Sequence, residues 1–137
     1  SGILITKILI VKEDGLVNYL ITDAGMQTFL RPALYNVNHN IVPFSKNKKN
    51  KKYTVAGPIC ESTDNFVKDF ELPEQSIGNF LAICDTGAYG FVMASNYNTR
   101  SLPTEILINN DDYEIIRKKE NISEIIKKDI LPPWLKN

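Results

Sequence analysis

Cysteine and histidine are scarce in this chain: Cys60 and Cys84 are the two cysteines and His39 the one histidine. Structural zinc takes four thiolate or imidazole ligands at short spacings, and the cysteines stand 24 positions apart, so no metal set is legible. Two thiols without a secretion signal also argue against a disulfide framework, and a reducing, cytoplasmic setting is expected. Charge of either sign is not in excess, since 16 Lys and Arg balance 16 Asp and Glu. No overall field then draws the chain to nucleic acid or to an anionic membrane, and neither is expected as a partner. Long hydrophobic runs are missing too. "ILITKILIV" carries Lys7 inside it and no small-residue cleavage site follows, so it is neither a span nor a signal peptide. A single histidine supports no Ser-His-Asp order, and His39 reads as a hydrogen-bonded structural residue.

What is present is an ordinary globular composition, 43% apolar and 23% charged over 137 residues. Such a chain can bury a sizeable core without staples. Residues Ile3 to Val11 are rich in β-branched types and precede the turn signal "KEDG", after which "LVNYLIT" reads as the return strand of a hairpin. "HNIVPF", "YTVAG", "NFLAICD", "TEILI" and "DYEIIR" read as further strands. "SKNKKNKK" reads as a solvated hairpin loop, because no aromatic platform interleaves with its lysines. "DAGMQTFLRPALY" predicts a short, broken helical stretch, with Asp23 as a possible N-cap and Pro32 biasing Arg31 away from the α region. "NISEIIKKDIL" places Ile122, Ile125, Ile126 and Ile130 at helical spacing behind an Asn121 cap. Seven or eight strands with little helix between them predict an all-β, mainly antiparallel domain, a Greek-key barrel or sandwich with short helices and a C-terminal helix.

Chemistry concentrates in "GPICESTDN", where a Gly-Pro turn leads into Cys60 and Glu61. A neighbouring carboxylate disfavours thiolate, so Cys60 is better suited to giving a proton than to attacking as a nucleophile. A space-filling cysteine at a strand end is the other reading. Arg31 and Tyr35 are four apart, so one helical turn would put a guanidinium and a phenol on the same face, a good pair for a carboxylate. The same spacing also suits a surface Arg beside a half-buried Tyr. Tyr89 lies in "GAYG", whose glycines serve either a close backbone approach to a ligand or a bulge.

Taken in order, "TDAGM", "RPALY", "GPICES", "KDFELP", "DTGAYG" and "ASNYNTR" resemble the C-terminal β-domain of the diaminopimelate decarboxylase family, pyridoxal-phosphate enzymes of the alanine-racemase-like fold, over about Gly2 to Ile126. The resemblance implies that residues 1–137 form a single C-terminal β-domain of a larger homodimeric enzyme, whose barrel domain is not part of this chain and carries most of the pyridoxal 5'-phosphate site. The opening of the chain at Ser1, on an apolar strand with no initiating Met, agrees with a piece of a longer protein. The implied reaction is decarboxylation of meso-2,6-diaminopimelate to L-lysine. Carried over residue by residue, Cys60 would give the proton that replaces the departing carbon dioxide, Glu61 would hold the distal amino group, and Arg31 and Tyr35 would bind the distal carboxylate. Tyr89 would touch both substrate and cofactor phosphate, and the isolated chain would be inactive. Relatives acting on ornithine or arginine resemble "CDG" rather than "CES" here, and their substrates lack the second carboxylate. Thr86 stands where the family pattern suggests Ala. A fragment of such a relative, or a non-catalytic β-module paired with a paralogue, are the alternatives.

Overall fold

A computed structural model describes residues 2–135. Its elements are β1 (Ile3–Asp14), β2 (Val17–Thr22), α1 (Arg31–Tyr35), β3 (Ile41–Pro43), β4 (Asn50–Ala56), β5 (Asn65–Pro73), β6 (Phe80–Cys84), β7 (Glu105–Asn109), β8 (Asp112–Arg117) and α2 (Ile122–Ile126), with single 3-10 turns between and after them. Tertiary contacts divide the chain into two compact units, Ser1–Ala94 and Ser95–Asn137.

The first unit is a six-stranded, barrel-like sheet of order β3-β6-β1-β2-β4-β5. Its length and curvature come from β1. Residues Ile3 to Lys7 pair antiparallel with β6, and Ile8 to Asp14 pair antiparallel with β2, with a register shift at Leu9. The alternation of side chains reports the same bulge. Leu4, Thr6 and Ile8 face inward before it, Val11 faces inward after it, and the parity of the buried face changes by one residue. A bulge inserts one unpaired residue and bends the strand, which lets β1 serve two parts of the sheet. The core is built from Ile8, Leu20, Phe29, Tyr53, Leu81 and Ile83, each at most 1% exposed, with Ile41, Val55, Phe66 and Leu72 packed among them.

The all-β, mainly antiparallel reading matches, with one exception: β2 and β4 run parallel, Leu20 opposite Val55. Parallel neighbours need a long crossover, and here α1 and β3 supply it, β3 pairing at the far end of the sheet with β6. β4 and β3 are therefore not a hairpin. The lysine-rich segment is not entirely loop either, since Asn50, Lys51 and Lys52 already belong to β4, opposite Pro73, Leu72 and Glu71 of β5. β5 itself lies in "NFVKDFELP", a run whose charged residues at Lys68, Asp69 and Glu71 mask its strand character. Asp23 does not cap a helix. Its carboxylate accepts from the Thr6 hydroxyl at 2.6 Å and the Lys7 N–H at 2.9 Å, pinning the exit of β2 to β1.

The second unit holds the β7-β8 hairpin, with Ile108 opposite Tyr113, closed by an Arg117–Glu105 bond of 2.7 Å. α2 follows, shorter than its apolar spacing predicts. Asn121 caps it as expected, its side-chain oxygen accepting from the Ser123 N–H at 3.0 Å. No helix among the described residues is long and apolar enough to cross a membrane.

Candidate active site half

The turn that enters α1 is fixed from inside. The carbonyl of Gly25 accepts from the N–H groups of Thr28 and Phe29, both at 2.9 Å. Phe29 is 1% exposed and meets the ring of His39 edge to face, centroids 4.7 Å apart. The Nδ1 of His39 donates to the carbonyl of Cys84 at 2.9 Å, tying the entry of α1 to the end of β6. His39 is thus the structural histidine its isolation suggested.

Pro32 sits in the first turn of α1, where its missing N–H costs nothing. The bias of Pro32 on the preceding residue is overcome, since Arg31 is helical. Asn36 ends the helix in the left-handed region, φ 53. The five-residue helix displays Arg31 and Tyr35 one turn apart, and the guanidinium carbon of Arg31 lies 5.4 Å from the Tyr35 ring centroid. It lies 5.7 Å from the centroid of Tyr89, which arrives from the loop after β6. Both phenols are more than half exposed, Tyr35 at 54% and Tyr89 at 63%. Tyr89 itself takes the left-handed conformation, φ 61, while the following Gly90 is at φ −61. A bulky residue there is a strained choice, of order 1 kcal/mol or more, of the kind that collects at functional sites.

No carboxylate among the described residues pairs with Arg31; the ion pairs found there join Lys12 to Asp14, Lys51 to Glu13 and Arg117 to Glu105. A guanidinium framed by two aromatic faces and lacking a protein anion is a ready site for a ligand carboxylate.

Cys60 and Glu61 occupy a separate segment, the loop between β4 and β5, and both are exposed. Glu61 lines a groove with Tyr19, Thr54 and Ile59. A second groove is shared by Pro32 and Ala33 of α1 with its C-cap Asn36, by Ser62 and Thr63 of the Cys60 loop, and by Phe66 at the start of β5. Of the five residues singled out in the sequence, then, Arg31, Tyr35 and Tyr89 form one contiguous cluster, and Cys60 and Glu61 stand on the neighbouring loop.

One residue escaped the sequence reading. Asp64 is 3% exposed, its Oδ1 accepts from the Met26 N–H at 2.6 Å, and its Oδ2 accepts from the Ile59 N–H at 2.8 Å. A carboxylate among "ESTDN" has the composition of a solvated loop. Its burial depends on a segment 38 positions earlier, which local pattern cannot reveal.

The profile of the family described as pyridoxal-dependent decarboxylase, C-terminal sheet domain, matches residues 1–87. The chain is 42% identical to the diaminopimelate decarboxylase of Archaeoglobus fulgidus over 137 residues, 98% of this chain and 32% of that one. Among solved structures, it is similar to the diaminopimelate decarboxylase of Methanocaldococcus jannaschii in complex with L-lysine, at TM-score 0.93 and 38% identity, covering 97% of this chain and 31% of the other. A lysine decarboxylase from Selenomonas ruminantium is more distant, at TM-score 0.66 and 28% identity, covering 73% of this chain and 26% of the other. The chain spans about a third of the length of the curated relatives it matches.

Proposed function

This chain belongs to the family of pyridoxal-dependent decarboxylase C-terminal sheet domains, and from that membership we propose that it is the C-terminal domain of a diaminopimelate decarboxylase, contributing one half of a site that converts meso-2,6-diaminopimelate to L-lysine. The observation that carries the reading is Arg31, set beside the rings of Tyr35 and Tyr89 and paired with no carboxylate of the described residues. The substrate of this reaction has a second carboxylate far from the bond that breaks, and a monocarboxylic diamino acid does not. A site built to pair with that group leaves its guanidinium unmatched when the group is missing, at a cost of several kcal/mol.

Arg31 and Tyr35 bind the distal carboxylate, and Glu61 takes the distal ammonium, so the substrate is held at the end remote from the chemistry. Cys60 lies next to Glu61 in the chain and holds the proton for the α-carbon once carbon dioxide has left. Tyr89 contacts both the substrate and the phosphate of the cofactor.

Pyridoxal 5'-phosphate, when bound, supplies the electron sink for breaking the carbon–carbon bond. The residues here fit a minor share of its site: Tyr89 offers one phenol O–H on an exposed side chain whose backbone sits in the left-handed region. The lysine anchor and most of the phosphate contacts are assigned to a barrel domain outside this chain. Cys60 and Glu61 reach the site of a neighbouring subunit, making the homodimer the active form, in the cytoplasm where lysine is made.

The test is an assay of the full-length protein for carbon dioxide and L-lysine from meso-diaminopimelate, alongside residues 1–137 alone. Activity of the full chain, with no turnover by the isolated domain, is expected. Lysine formation by the domain alone, or a full-length protein that prefers ornithine or arginine, overturns the reading. Mixing a Cys60→Ala protein with one lacking the barrel lysine is expected to restore part of the activity, because shared sites regain one intact pair.

A further inference from the structure

We propose that the groove on the outer face of β2 and β4, beside the Cys60 loop, is the surface on which a second copy of the full-length protein docks, and that this docking carries Cys60 and Glu61 into the neighbouring site. The proposal rests on the reading of shared sites given above and goes beyond it by naming the surface that makes them shared.

The loop cannot deliver its residues by reaching out. Its ends are fastened to each other, with the Gly57 N–H donating to the carbonyl of Asp64 at 3.0 Å and the Asp64 N–H donating to the carbonyl of Glu61 at 3.1 Å. The buried carboxylate of Asp64 holds it further, accepting from the Ile59 N–H at 2.8 Å within the loop and from the Met26 N–H at 2.6 Å outside it. The side chain of Asn65 donates to the carbonyl of Ser62 at 2.7 Å. A thiol that gives a proton in another subunit has to come within about 3.5 Å of the reacting carbon. With the loop held down, only a broad contact of the surface around it achieves that.

The surface around it has the composition of such a contact. β2 sends Leu20 and Thr22 into the core, both 0% exposed. The alternate residues Val17, Tyr19 and Ile21 point the other way and are half-buried. A strand with one solvated face normally carries polar residues there. Here that face is aliphatic and aromatic, and Ile10, opposite Ile21 in β1 and 52% exposed, widens it. Tyr19 and Ile21 lie in register with Thr54 and Ala56 of β4. Together with Ile59 and Glu61 they line a groove of about 460 Å³, which Lys68 and Asp69 of β5 also border. An apolar stretch with a tyrosine, joined by exposed charges, is the make-up of a protein interface.

Of the residues assigned above, only Cys60 and Glu61 serve the neighbouring site. The groove is lined by one of them and by none of Arg31, Tyr35 and Tyr89. A copy seated in it therefore meets the residue that its own substrate needs, which makes the occupant a second copy rather than this protein's own barrel domain.

The test uses the full-length protein with its cofactor, carrying Tyr19→Glu, with Tyr19→Ser as a second variant should the first fail to fold. Sedimentation velocity over a dilution series reads the dimer, and turnover of meso-diaminopimelate is measured at the same concentrations. The variant is expected to dissociate at about a hundredfold higher concentration than the wild type. Its specific activity should fall on dilution in step with the dimer and return to near the wild-type kcat at high concentration, with KM unchanged, which a residue acting on the chemistry would not do. Alkylation of Cys60 should speed up as the dimer is lost. A folded variant that dimerises as tightly as the wild type overturns the proposal. So does one that stays dimeric while limited proteolysis parts its sheet domain from its barrel, since the groove would then hold the protein's own barrel. A wild-type protein fully active as a monomer refutes the shared-site reading itself, whereas a wild type active only as a dimer, beside an unaffected variant, refutes the groove alone.

Discussion

The guanidinium of Arg31 stands between the rings of Tyr35 and Tyr89, 5.4 and 5.7 Å from their centroids, although the two tyrosines lie 54 positions apart in the chain. One phenol comes from the same helical turn as the arginine and the other from a loop after β6, so the pocket records the fold as much as the local sequence.

Replacing Arg31 by Ala in the full-length protein is expected to raise the KM for meso-diaminopimelate by roughly a hundredfold, the equivalent of about 3 kcal/mol of lost charged hydrogen bonding, with a smaller change in kcat. Steady-state kinetics read the split. An unchanged KM contradicts the assignment of the distal carboxylate to this residue. Arg31→Lys keeps the charge but not the planar fork, and is expected to recover only part of the loss.

Cys60→Ala is expected to act on the other parameter. Removing a positioned proton donor lowers kcat by about 10²- to 10⁴-fold and leaves substrate binding nearly intact. Isothermal titration of substrate into the variant checks the second half of that statement.

Phe29 tests the scaffold rather than the chemistry. Its side chain is buried beside His39 at the entry to α1. Phe29→Ala should cost about 3 to 5 kcal/mol through lost burial and the cavity left behind. Urea unfolding followed by circular dichroism measures it, and a loss below about 1 kcal/mol would contradict the packing described.

Lys51 carries a resolved shift. Its hydrogen bond to Glu13 raises it above the ordinary lysine value of 10.5, against a smaller opposing effect of burial. The folded chain therefore holds this proton more tightly than the unfolded chain does. The associated stability is complete below pH 10.5 and fades as the pH climbs through the raised value. Glu13→Gln is expected to remove that alkaline component, seen as a flatter dependence of the urea midpoint between about pH 9 and pH 12. The pair is exposed, so the effect at neutral pH should be slight.

Much of this architecture was legible beforehand because it is local. β-Branched runs, the "KEDG" turn and the Asn121 cap announce β1, β2 and α2 directly. The parallel pairing of β2 with β4 was not legible, since register between distant strands depends on what the crossover can reach. β5 was hidden by its charges, which face outward along an edge strand and break the apolar pattern. Within the site, the spacing of Arg31 and Tyr35 pointed to a shared face, but the approach of Tyr89 from the loop after β6 depends on tertiary structure. Asp64 went unassigned because its meaning lies in two backbone N–H groups, and a one-letter code says nothing of what main-chain donors will face.

The shared strand β1 leaves the first unit without a seam. Since one continuous backbone is hydrogen-bonded to β6 at one end and to β2 at the other, neither half of the sheet can loosen while the other persists, and melting of this unit should be all-or-none. The helix bearing Arg31 and the loops bearing Cys60 and Tyr89 are therefore carried on one cooperatively hydrogen-bonded frame.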